Sequence, residues 1–194
     1  MKPKSQFVPL VRLRARLDTA IRICRGLYYR YQHVTDYKKL LVKALYNRTE
    51  FELRTSNAPT PIGLDLADDL IREAVALQRP LCGQFPDSLE PQIVLNKLLH
   101  RLSEVHDRLG RIRDAQKVLE GATQDFERFL TAHPQFTEGQ RGLIDDYEYL
   151  GLLFEKTGQT QEAEAAFDKA EELSKQLNHN IGPPPNESRR DMPE

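Results

Sequence analysis

The stretch 147-YEYLGLLFEKTGQTQEAEAAFDKA-170 decides how this chain folds. Tyr147, Leu150 and Phe154 recur at helical spacing, yet Gly151 stands among them, where a helix interior costs about 1 kcal/mol relative to alanine. Lys156 marks a last helical turn, and Gly158 follows it as a left-handed C-terminal cap. Thr160 can cap a second helix, Glu162 falls in its first turn, and Ala163, Ala166, Phe167, Ala170 and Leu173 form its apolar stripe. Two helices joined by so tight a turn are antiparallel neighbours, and they approach closely only where facing residues are small. Gly151 opposite Ala163 is the expected close contact. Tyr147, Leu150, Phe154 and Phe167 fill the space around it, and their burial offsets the helix cost.

The same plan occurs 48 positions earlier. Gly110 matches Gly158, Pro86 matches Pro134, Leu102 matches Leu150, and Ala115, Leu119 and Ala122 match Ala163, Phe167 and Ala170. One step further back, Ala67, Ile71 and Ala74 stand in the same register. A series held in one register over three units marks a repeat array. In the middle unit, Leu95, Leu98, Leu99, Leu102, Val105 and Leu109 predict a helix from Pro91, with Arg108 in its last turn. A second helix is predicted to open near Asp114 and to stop at Pro134.

The pattern Tyr147-x-x-Leu150-Gly151-x-x-Phe154, then Gly158, Ala163-x-x-x-Phe167 and Ala170, resembles the tetratricopeptide repeat, with Tyr147 in the usual tryptophan place. The resemblance covers residues 144–177. The preceding unit departs from it, with Ser103 where glycine is usual and His106 where an aromatic is usual. The period of 48 exceeds the usual 34, through a longer second helix and the connection HPQFTEGQ. Repeats of this long period resemble those appended to bacterial signalling kinases, although no kinase motif is present. The resemblance implies an all-α solenoid of antiparallel helical hairpins that acts as a scaffold or adaptor. Its first helices would line a groove for a peptide or a partner helix. Carried onto this chain, that groove face holds His100, Glu104, Asp107 and Arg108 on one unit and Glu148, Leu152 and Glu155 on the next. Their mainly acidic character implies a basic or mixed-charge partner.

Residues 1–54 are of different composition. Up to Arg48 they hold twelve Lys and Arg against two acids, Asp18 and Asp36, while the remainder holds 16 against 27. Leu10, Leu13, Leu17, Ile21, Cys24, Leu27, Tyr28, Tyr31 and Val34 form one helical stripe, and Arg12, Arg16, Arg22, Arg25 and Arg30 lie mostly off it. A second helix is expected from a cap at Asp36 to near Arg48. Three readings fit this segment: a further hairpin packed on the array with its arginines in solvent, a surface for an anionic membrane or acidic partner, or a nucleic-acid contact through arginines and tyrosines. Self-association, with the basic segment placed in an acidic groove, is also open. Pro59 and Pro61 predict a loop over residues 55–63, so that the array begins near Leu64 and runs to residue 178. The tail 179–194, rich in proline and polar residues, is expected to be disordered.

Nothing in the sequence points to catalysis, a cofactor or a metal. His100 and His106 are six apart and so on different helix faces, and no nucleophile elbow or phosphate-binding glycine loop occurs. Acid pairs such as Asp145–Asp146 read as solvated helix surface. Cys24 and Cys82 are too few for a disulfide framework, no apolar run could span a bilayer, and the start lacks a secretory pattern. A cytoplasmic, non-catalytic protein is the expectation.

Overall fold

The two expected glycine caps have the same backbone geometry. Gly110 and Gly158 adopt φ of 75° and 76°, the left-handed region that favours glycine. Each closes its helix by the same pair of bonds. Gly110 and Arg111 donate N–H groups to the carbonyls of Asp107 and His106, and Gly158 and Gln159 donate to those of Glu155 and Phe154. Two unpaired helix-end carbonyls are satisfied at each end, and the chain reverses.

The computed structural model describes residues 7–55 and 61–181, which form α1 (Phe7–Arg30), α2 (Thr35–Thr55), α3 (Pro61–Gln84), α4 (Leu89–Arg108), α5 (Ile112–Ala132), α6 (Thr137–Lys156) and α7 (Thr160–Ile181). The described residues contain no strand. Successive helices pack as antiparallel neighbours, with α2 on α3, α4 on α5 and α6 on α7 as the hairpins, and α4 also lies against α6. The first helices, α2, α4 and α6, stand side by side in one layer. The odd-numbered helices form the other. This is a solenoid of hairpins, stabilised by stacking each unit on the next.

The core runs through the stack. Ile21 of α1, Leu41 and Leu45 of α2, Ile71 and Ala74 of α3, and Leu98 and Leu102 of α4 belong to one buried cluster. Leu119 of α5 with Leu150, Leu153 and Phe154 of α6 and Ala163 of α7 belong to the next. The basic first pair is therefore continuous with the array, as the first of its three sequence readings has it.

Several sequence-based boundaries move. α2 continues past Arg48 to Thr55, because Arg48 is buried and Leu53 packs with Leu64, Ala67 and Val105. Pro61 does not exclude a helix but opens α3, since a first-turn position needs no N–H partner. With α2 packed along it, α3 has a first-helix partner, and the array does not begin at Leu64. α5 opens at Ile112, close to Asp114 as expected, whereas Thr35 and Thr160 open α2 and α7, so Asp36 and Thr160 lie inside their helices rather than capping them. Helix α7 runs through His179 to Ile181, beyond the expected start of the tail, and residues 182–194 lie outside the described residues, as do 56–60.

The close contact at Gly151 is real. A β-carbon there would meet first the ring of Phe167, one of the side chains expected to fill the space around it. Ser103, 48 residues earlier, uses its hydroxyl instead, donating to the Ala115 carbonyl at 2.9 Å. A smaller Leu119 stands there in the place of Phe167 and leaves room for that hydroxyl.

Candidate protein-binding surface

The first-helix layer is held by two polar seams. Between α4 and α6, Asp146 is almost fully buried and accepts bonds from His100 Nδ1 at 2.7 Å and Asn96 Nδ2 at 2.6 Å. Asp146 is thus no solvated helix residue, although its neighbour Asp145 is exposed. Burial raises its pKa, and the bonds from His100 and Asn96 oppose that shift only in part. Lower in the same seam, Asp107 accepts from the Tyr149 hydroxyl at 2.8 Å and from Lys156 Nζ at 2.5 Å. Burial and the bond to Asp107 together push the Tyr149 phenol far above its ordinary pKa, so it stays a donor.

Between α2 and α4, Arg101 reaches Glu50 at 2.5 Å and also pairs with Glu104, while Arg108 donates to the Leu53 carbonyl at 2.5 Å and to Glu104 at 2.7 Å. At the other end of this seam Lys39 pairs with Glu90 at 2.7 Å. A cleft of about 430 Å³ opens along this seam, lined by Val42, Pro91, Val94, Leu98 and Gln78, by Tyr46, Lys43 and Lys97, and at one end by the Lys39–Glu90 pair.

Four of the seven expected groove residues, His100, Glu104, Asp107 and Arg108, are therefore bonded across or along the first helices. Glu148, Leu152 and Glu155 are exposed on α6. The sequence reading missed Asp146, Lys43, Lys97 and Tyr46. Asp146 carries no local signal, because its partners lie 46 and 50 positions away. The cleft residues on α2 were hidden by assigning that helix to a separate segment.

The basic face of α1 divides. Arg12, Arg16, Arg22 and Arg30 are exposed, whereas Arg25 is half-buried and pairs with Glu73 of α3. Tyr29 is also exposed. Among the described residues no group of three or more His, Cys, Asp or Glu side chains converges as a metal site, and no helix is long and apolar enough to cross a membrane. Burial pushes the thiols of Cys24 and Cys82 above their ordinary value, away from the reactive thiolate.

No protein-family model matches the sequence, and no curated protein matches it either. Solved structures do match the fold. A crystal structure of the de novo designed helical repeat protein DHR64 superposes with a TM-score of 0.55 at 18% identity, covering 87% of this chain and 84% of that one. The DHF58 filament protein gives a TM-score of 0.56, also at 18% identity, over 90% and 96% of the two chains. At such identity the likeness concerns the helical repeat fold alone.

Proposed function

We propose that the chain is a non-catalytic protein-interaction scaffold of the tetratricopeptide-repeat type, binding a peptide or helix of a partner along its first-helix layer. The observation that carries this reading is the cleft between α2 and α4, a concave site with an apolar floor and unpaired cations on the layer where such repeats receive ligands. Exposed Leu152 on α6 extends the layer with a further apolar contact. The repeat spacing and the matched glycine caps support the family assignment. A cytoplasmic, bacterial signalling context fits that resemblance and belongs to the same proposal.

A second reading rests on α1. Arg12, Arg16, Arg22 and Arg30 are exposed and have no acidic partner among the described residues, an arrangement suited to phosphates of nucleic acid or an anionic membrane. Photo-crosslinking separates the two. A photoreactive amino acid is placed at Leu152 in one version of the full chain and at Arg16 in another, and each is irradiated in cell extract. A discrete protein adduct from position 152 and none from 16 supports the scaffold. Adducts from position 16 alone, whose formation is prevented by salt or nuclease added before irradiation, support the second reading and contradict the first.

A further inference from the structure

The seam between α2 and α4 alternates in an informative way. At one end Lys39 has Glu90, and at the other Arg101 has Glu50 and Glu104. Between them the cleft presents Lys43 on one wall and Lys97 on the other, both exposed and neither with an ion-pair partner among the described residues. The floor beneath these two cations is mainly apolar, and its one amide, Gln78, is already bonded to the Pro91 carbonyl. Of the four charged side chains that line the cleft, Lys39 and Glu90 neutralise each other, so the anions that would match Lys43 and Lys97 are those a ligand would bring. The volume of about 430 Å³ falls in the roughly 300–1,000 Å³ range of ligand pockets and leaves room for large apolar side chains.

We infer that this cleft receives an acidic peptide segment, with one or two large apolar side chains inserted on Val94 and Leu98 and flanking Asp or Glu carboxylates on Lys43 and Lys97. This rests on the scaffold reading and reverses the partner charge that the acidic α4 and α6 residues imply in the sequence. Glu104 and Asp107 are already engaged by Arg101, Arg108, Tyr149 and Lys156 and offer little to a basic ligand. The recognised anions are side-chain carboxylates, so a free chain terminus is not required. Apolar contact supplies most of the affinity. The lysines, standing on opposite walls, fix the register and steer encounter.

The test uses a dye-labelled peptide, Asp-Glu-Leu-Phe-Asp-Glu, with an amidated C-terminus, titrated with the full chain and read by fluorescence anisotropy. The Lys43→Glu, Lys97→Glu double variant should weaken binding by ~10-fold or more, a loss of about 1.4 kcal/mol. Lys117→Glu, on α5 outside the cleft, should change it by less than about twofold. Because all three lysines are exposed, melting curves of the variants should match the parent. Replacing Leu-Phe by Ala-Ala in the peptide should abolish binding. The inference is overturned if a Lys-Lys-Leu-Phe-Lys-Lys peptide binds as well as the acidic one, or if the Lys43, Lys97 variant binds normally. It is also overturned if dodecanoate occupies the cleft and the peptide does not. A chain that takes up neither peptide but crosslinks to a protein through position 152 overturns this inference and leaves the scaffold standing. Loss of that crosslink as well removes both.

Discussion

The ring of Phe167 occupies the place where a side chain at Gly151 would begin: a β-carbon built there lies 2.5 Å from Phe167 Cε1 and 2.6 Å from Cζ. Gly151→Ala gains about 1 kcal/mol of helix propensity and loses about 1–3 kcal/mol to overpacking, so a lower melting temperature is expected. The preceding unit shows the alternative solution, Ser103 with Leu119. Gly151→Ser combined with Phe167→Leu should therefore be more stable than the sum of the two single changes. A double-mutant cycle by urea unfolding measures that coupling, and additivity would mean the two residues do not meet.

The hairpin plan was legible because its determinants are local: a glycine two places past the last turn, and stripes at spacings of three and four. Which atoms come nearest Gly151 was not, since a period aligns positions without saying how far the Phe167 ring reaches. Pro61 misled for a different reason. The same residue breaks a helix interior and starts a helix, and only its position distinguishes the two. On the candidate surface, sequence spacing cannot tell a groove-facing acid such as Glu148 from one bonded to the next repeat such as Asp107.

Acid should loosen the joint between the first and second hairpins, where α4 meets α3, through His106. Its Nε2 lies 3.1 Å from Asp68 Oδ1 and 2.8 Å from Arg72 Nη2, and its Nδ1 is buried without a partner. Burial holds the imidazole below its ordinary value; Asp68 opposes this, and Arg72 and Arg111 add to it. The unfolded chain then takes up a proton, below about pH 6.5, that the folded chain resists. Stability falls as pH drops from that point through the folded pKa. Asp68 has the same sign in a lower window. Burial alone would raise it, but Arg72 and Arg111 hold its carboxyl below the usual range, so its contribution is lost only in stronger acid. Denaturation midpoints between neutrality and pH 5 should flatten in His106→Gln.

Arg48 is buried with only 1% of its side chain exposed, bonded to Asp18 of α1 at 2.7 Å and to Glu52 of α2, with its guanidinium 5.3 Å from the centre of the Phe51 ring. Arg48→Ala should cost about 2–3 kcal/mol, mainly from the void and the lost bonds, since Glu52 keeps Arg14 and Asp18 is more than half exposed. Arg48→Lys should recover less than half of that, because an ammonium cannot reproduce the fork or the stacking. Thermal unfolding of the three proteins checks both statements.

Asp146→Ala removes two charge-assisted bonds between α4 and α6 and strands Asn96, so a loss of roughly 1.5–3 kcal/mol is expected in urea unfolding. The exposed neighbour gives the contrast: Asp145→Ala should stay within about 0.5 kcal/mol of the parent.

The most direct test of the scaffold account is amide hydrogen exchange on the full chain, alone and saturated with a protein partner captured through position 152. The account predicts that added protection falls on α2, α4 and α6, strongest around Lys43, Val94 and Leu152. Protection confined to Arg12–Arg30 of α1, with the first-helix layer unchanged, would contradict it.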